Sequence, residues 1–511
     1  MDVVSLLNHC RRHGINLHVK NGELSYCAAK GAMTQEIMSA IRIRKNDILD
    51  HLMRLEESRF HITAASVNRA PLFNRFLWKD YSNRIMDVSS ANATRIVTRN
   101  KGEILTDALL RSVNILLERH DILRSSIETA EGKLYLVCRE KMSVAFQELT
   151  AAGEMSQQKE DDACRIADDL VWKEYDLDHG PLYRIFLVRF SATDYILGLA
   201  LHHAIGDLLS IGILYKELLS VYSSIVCSTP LRLSPVRLRY IDYLASMETW
   251  SNSAACGEHI RYWKDRLKPT PVTGLLPDEK RSPDGAASED TAEATLFLDV
   301  ETSRELKKIA IQSKTTLFNV LLALYKIALR RMTGQDAPVV VALHAGRLDA
   351  GFQNAIGDFA LEIAYKTDIS GTPGFKEILA RVVREVSEAN SHQPVPLDWV
   401  RSALAKEGIA FSAPGINLMI GDTDQLQNPL RPRHLNFSYP GVRHGCHGFP
   451  VSCAVEFRDG AAGIEGSMVY RTDVYDKSTV ETFLNGFIET AADVIKPSEM
   501  NLVLGITGEG G

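Results

Sequence analysis

Residues 195–219 read YILGLALHHAIGDLLSIGILYKELL, an apolar run that stops on two histidines and resumes with a different period after Asp207. Residues 195–201 are apolar without alternation, the mark of a strand covered on both faces. Leu208, Ile211, Leu214, Tyr215, Leu218 and Leu219 then recur at helical spacing, which predicts a helix with one buried stripe. The histidines therefore fall on a strand-to-helix turn. His203, just past the strand, can reach a cleft while the sheet holds its backbone, whereas His202 should point the opposite way, into structure. Asp207 stands where a helix wants its N-cap.

Transfer of an acyl group from a thioester needs a group that takes or guides the acceptor's proton, and an imidazole at neutral pH is suited to this. His203 is the candidate, with His202 in a supporting role. Asp207 is read first as a cap or ion-pair partner and second as a triad-like orienter of the imidazole. A metal site is disfavoured because no His or Cys follows the H-H-x-x-x-D segment at ligand spacing. Taken alone, the histidine pair could also be purely structural.

Outward from this turn, ILTDALLRSVNILLERHD predicts a helix and SVAFQELT and LYRIFLVRF predict strands. Residues 268–291, rich in Pro, Gly and charge, read as a surface connection. Beyond them residues 301–332 predict one long helix, PVVVALHAG, INLMI, LNFSYPG, VSCAVEF and GIEGSMVY predict strands, and a last helix starts near Ser478. The expectation is an α/β protein of two lobes, over 60–235 and 236–505. With 511 residues the chain is too long for one core.

The first residues, 1–56, form a pattern of their own. Leu6, Leu7 and Cys10 suggest a short helix. INLHVK and ELSYCA flank Asn21-Gly22, the strongest local signal for a hairpin. Thr34 then precedes Ile37, Met38, Ile41, Ile48, Leu49 and Leu52 at the spacing of one helix. Arg11, Arg12, Lys20, Lys30, Arg42, Arg44 and Lys45 outnumber five acids here, on a chain of net charge -6. This basic excess is a candidate surface for an acidic tail, or simply solvated helix faces.

With 45% apolar and 24% charged residues the composition is that of a soluble globular protein, and its mild charge calls for neither nucleic acid nor membrane as partner. The eight cysteines form no C-x-x-C pair and no signal-like segment opens the chain, so a reducing cytoplasm is expected.

HHAIGDL resembles the HHxxxDG motif of nonribosomal peptide synthetase condensation domains, and the likeness extends along the chain. ERHDILRSSI is similar to the family's RHexLRT at Arg119, His120, Leu123 and Arg124, and YIDYLASMETW to YxDYA at Tyr240, Asp242 and Tyr243. LLPDEKRSP, IGDFALEIAYKT and HQPVPLDWV resemble LPtDrpRp, IGxFvNT and HQxvPFe, the last at His392, Gln393 and Pro396. The resemblance implies a chloramphenicol-acetyltransferase-like pseudodimer with a tunnel between its lobes. It implies that His203 is catalytic, as base or as orienter of the nucleophile, and that Asp207 pairs with an arginine of the second lobe, here Arg347. Gly206, His392 and Gln393 are implied as tunnel or motif-supporting residues. Leu208 in place of the motif's last glycine, and FALEIAYKT without the FvNT ending, depart from the pattern.

Residues 14–31 resemble the GIxLxxxgdxLrxxapkG pattern of tubulysin-type β-hairpin docking domains, which capture a short motif at the C-terminus of an upstream synthase, and the resemblance implies Lys20, Tyr26, Lys30, Arg42, Arg44 and Lys45 as the contact surface. Because the chain ends soon after the condensation pattern, it is expected to act in trans, like the free-standing, chain-releasing condensation enzymes of the enacyloxin type. The resemblance then implies an acyl donor carried on the phosphopantetheine of a partner carrier protein, no bound cofactor or metal, and an amine or hydroxyl acceptor, free or carrier-bound. An inactive recruitment scaffold and a coenzyme A dependent acyltransferase are the alternatives.

Overall fold

The computed structural model describes residues 3, 6, 10, 15–20, 23–28, 33–50, 67–72, 93–268 except 132, 154, 155 and 172, 291–419 except 372, 410 and 412, 437–438 and 453–496.

In the first unit β1 (Ile15–Lys20) and β2 (Glu23–Ala28) pair antiparallel, from Ile15 opposite Ala28 to Lys20 opposite Glu23. Thr34 caps α1 (Gln35–Ile43), its hydroxyl oxygen accepting from Ile37 N at 3.2 Å. The single helix expected as far as Leu52 breaks at Arg44, whose φ of -112° and ψ of 23° leave the helical region, and residues 45–50 are helical again. The break has a packing reason. It lets Ile48 share one small core with Ile37, Leu6, Cys10, Ile15 and Leu17.

A three-stranded sheet of β3 (Arg69–Pro71), β5 (Ser125–Ala130) and β6 (Lys133–Cys138) flanks the first lobe. That lobe is built on β4 (Ala93–Lys101), β7 (Phe146–Thr150), β8 (Tyr183–Ser191) and β9 (Asp194–His202). Strand β9 lies between β4 and β8, and from Tyr195 to His202 every residue is buried. Helices cover both sheet faces, which is why its sequence lacks alternation: α2 (Thr106–Arg119) and α4 (Leu208–Val226) on one, α3 (Ser156–Val171) on the other. By length and a mean hydropathy of 1.3, α4 could cross a membrane, yet ten of its residues are packed inside this lobe. Leu208, expected in its buried stripe, is instead 47% exposed.

Helices α5 (Tyr240–Ser251) and α6 (Ala254–Leu267) lead to the second lobe. There β10 (Thr291–Asp299), β11 (Val339–His344), β12 (Leu361–Lys366), β13 (Gly415–Met419), β15 (Cys453–Gly460) and β16 (Gly463–Arg471) form a mixed sheet in the order β10-β16-β15-β13-β11-β12. The LNFSYPG strand does not join it. Its residues Phe437–Ser438, β14, pair with Asn100 and Arg99 of β4 and extend the first lobe's sheet.

Residues 301–332 are two helices, not one: α7 (Val300–Gln312) and α8 (Leu317–Thr333). Lys314 adopts a φ of 52°, and Thr316 starts the second helix by accepting from Asn319 N at 3.3 Å. The apolar period runs across the break, but Ser313 to Thr316 supply capping chemistry that outcompetes continuation. Helices α9 (Phe375–Ser391), α10 (Leu397–Ala405) and α11 (Lys477–Val494) complete the lobe.

Candidate active site

At the end of β9 the chain turns through one 3-10 segment, His203–Ile205, before α4 begins. His202 is fully buried; its Nδ1 accepts from Ala204 N at 3.2 Å, and its ring meets the edge of Tyr175 with centroids 5.4 Å apart. His203 is half-buried, its ring Nδ1 shielded from solvent, and its neighbours on both sides are buried. Gly206 is extended, and a Cβ there would fall 2.6 Å from Leu201 Cδ1, so the glycine lets the turn fold back on the strand.

Asp207 begins α4, with Oδ1 accepting from Ser210 N at 2.8 Å. The same carboxylate joins the lobes. Arg347 Nη1 donates to Oδ2 at 2.9 Å and Nη2 to Oδ1 at 3.2 Å, while Phe359 N donates to Oδ2 at 3.1 Å. The carboxylate thus accepts from a capping N–H, a bidentate guanidinium and a further backbone N–H. Arg347 follows β11 through Gly346, whose φ of +60° and close approach to Phe359 O exclude a side chain. The guanidinium also donates to Ser210 Oγ at 3.0 Å and lies 4.7 Å over the Phe359 ring. Ser210 Oγ in turn donates to Gly357 O at 2.7 Å.

Sequence reasoning passed over Ser210, although a polar residue three places after a cap, inside an apolar stripe, is a visible signal. It also passed over Glu217. This buried acid of α4 accepts from Arg119 Nε at 2.9 Å and lies 2.7 Å from His120 Nε2, tying α2 to the helix that follows the histidines. Burial raises the Glu217 pKa, but the bonds from His120 and Arg119 outweigh it and the carboxyl is held below its ordinary range.

His392 and Gln393 are brought elsewhere. The His392 ring stacks on Tyr262 at 3.5 Å, its Nδ1 is 2.8 Å from His259 Nδ1, and Trp263 Nε1 donates to its carbonyl at 3.1 Å. Gln393 continues that turn, its N–H reaching Asn390 O. His392 thus braces the end of α9 against α6. In the first unit Tyr26 is 54% exposed, Arg42 and Lys45 are exposed and Arg44 is half-exposed. Ile43, between two of these arginines, is 83% exposed and carries no warning of it in the sequence. Lys30 and the Lys20 side chain lie outside the described residues.

The profile of the condensation-domain family matches residues 81–502, and that of the TubC N-terminal docking domain matches residues 3–53. A linear gramicidin synthase chain of Brevibacillus parabrevis is 27% identical over 419 residues, 80% of this chain, which spans only 8% of that protein's length. Malpinin synthetase of Mortierella alpina is 25% identical over 479 residues, 89% of this chain and 6% of its own. Two solved structures share the fold along nearly the whole chain. One concerns condensation domain-mediated chain release from the enacyloxin polyketide synthase, at 20% identity, a TM-score of 0.68 and coverage of 98% of this chain and 97% of the other. The second is the EpoB cyclization-docking bidomain from Sorangium cellulosum, at 18% identity, a TM-score of 0.67 and coverage of 97% and 99%.

Proposed function

Because the chain belongs to the condensation-domain family and carries a TubC-type docking domain, we propose that it transfers an acyl chain from a carrier protein's phosphopantetheine thioester to an amine or hydroxyl. The observation that carries the reading is His203, half-buried on a turn fixed at one end by β9 and at the other by the Asp207–Arg347 clamp. In this reading the His203 imidazole accepts the proton of the acceptor as its nitrogen or oxygen attacks the thioester carbonyl. The tetrahedral intermediate then collapses, the carbon–sulfur bond breaks, and the phosphopantetheine thiolate leaves and takes up the proton. Asp207 and Arg347 take no proton. They hold the turn and the two lobes in register.

Residues 1–56 act as the docking unit, 60–235 and 236–505 as the two lobes. Tyr26, Ile43 and the basic residues Arg42, Arg44 and Lys45 offer an apolar and cationic surface, suited to an acidic C-terminal segment of an upstream synthase. We place the protein in the cytoplasm, where the described cysteines, which form no disulfide, would stay reduced. Release of the chain to a small free acceptor, in trans, is supported by the end-to-end likeness to the enacyloxin chain-release structure.

The test is intact-protein mass spectrometry of an acyl-loaded carrier with its native tail, mixed with this protein and a panel of free amines and alcohols. Loss of the acyl mass with a matching product, dependent on His203, is expected. Tail binding without acyl loss to any free or carrier-bound acceptor would overturn transfer in favour of a recruitment scaffold.

A further inference from the structure

The first turn of α4 has two unlike sides. Asp207 and Ser210 face the second lobe and are spent on Arg347, Gly357 and Phe359. Successive helical residues turn by roughly 100°, so Leu208 lies roughly 200° from Ser210 and Leu209 roughly 100° from it, both turned away from the clamp. Leu208 is 47% and Leu209 50% exposed. Among the described residues no other two large apolar side chains adjacent in sequence are both exposed. Further along the helix Ile211, Leu214, Tyr215, Leu218 and Leu219 are all buried, so the exposed pair is confined to the turn next to His203.

A leucine at the first helical position serves neither the cap nor the core here. Lone exposed leucines need no explanation, but two together, five and six residues after the half-buried histidine, make a small apolar wall on the first turn of the helix that follows it. The motif resembled by this segment has glycine at position 208, so the wall belongs to this chain and not to the pattern.

We propose that Leu208, with Leu209, is a specificity-determining surface that packs against the apolar chain of a reactant held at His203, favouring long aliphatic over short or polar substrates. The inference rests on the transferase reading above. The apolar chain can come from the acyl donor or from the acceptor, and both sources present the same surface to the leucines.

The experiment uses the full chain with two matched series. In one, carrier-bound acyl thioesters from acetyl to decanoyl meet a single amine; in the other, alkyl amines and alcohols of rising length meet one acyl carrier. The wild-type protein should prefer the longer members of one series by roughly tenfold or more in kcat/KM. Leu208→Gly and Leu208→Ser should collapse that long-to-short ratio toward one, with thermal melting confirming a folded protein, and the series that collapses identifies the source of the chain. A flat wild-type profile in both series, or a ratio that survives both substitutions, would overturn the wall and leave transfer intact. Absence of turnover in every wild-type reaction would sink the transferase reading itself, and this inference with it.

Discussion

Asp207 and Arg347 stand 140 residues apart in sequence and meet through paired hydrogen bonds of 2.9 and 3.2 Å, with their side chains 6% and 8% exposed. A buried pair of this kind gives little net stability against an apolar substitute, but loss of one member strands a buried charge, at a cost of about 3–5 kcal/mol. Asp207→Ala and Arg347→Ala should each lower the urea midpoint strongly. The double variant should lose much less than the two effects combined, and a double-mutant cycle with no coupling would refute the clamp.

His203→Ala should reduce acyl transfer by about 10²–10⁴-fold while leaving the circular dichroism spectrum and melting temperature near those of the wild-type protein. His203 is half-buried and follows a strand whose residues make the core, so its removal costs function and not packing. A folded variant with undiminished turnover would remove His203 from the chemistry.

His344 and His392 are both pushed down to about 4, His344 by burial and His392 by burial followed by the positive neighbours His259 and Arg266. A depressed histidine binds its proton less readily folded than unfolded. Stability should therefore be full above the ordinary value of 6.5 and fall as the pH drops from 6.5 toward 4. His392→Phe, which keeps a ring against Tyr262, should flatten part of that decline in denaturant titrations. An unchanged slope would show that His392 titrates alike in both states.

The Tyr175 hydroxyl is buried and finds no hydrogen-bond partner among the described residues, whereas its ring holds the buried His202. Tyr175→Phe should leave stability unchanged or raise it by about 1 kcal/mol. Tyr175→Leu should loosen His202 and lower kcat several-fold more than it changes KM. Equal effects of the two substitutions on kcat would remove the ring from the account.

Tyr26→Ala and Ile43→Asp should weaken binding of an upstream C-terminal peptide by tenfold or more in fluorescence anisotropy, with Ile43→Asp leaving the melt of the first unit unaltered because that side chain is 83% exposed. Wild-type affinity in both variants would move the docking surface elsewhere on the unit.

Much of this architecture is legible in the amino-acid order alone. The unbroken apolar stretch of β9, the Asn-Gly hairpin and the cap at Asp207 are local signals, each with its own period or turn chemistry. The family resemblance supplied the pairing of Asp207 with Arg347, which no local pattern could announce. What escaped were features set by tertiary competition: the break at Arg44 that sends Ile48 into the small core, and the Ser313–Thr316 cap that halves a continuous apolar period. The exposure of Leu208 escaped for the same reason, since helical spacing says which residues share a face but not where that face ends. Glu217 was unremarkable in sequence because its partners, Arg119 and His120, come from a helix a hundred residues upstream.

Strand β14 pairs with Arg99 and Asn100 of β4, so that stretch of the first sheet's edge is met by residues that the ribosome makes more than three hundred positions later. Until Phe437 and Ser438 arrive, that end of β4 is an open template for a passing strand. The nascent first lobe should accordingly depend on chaperone shelter during synthesis, and a gene split near residue 235 should yield an N-terminal fragment that aggregates by itself and becomes soluble when the other fragment is co-expressed.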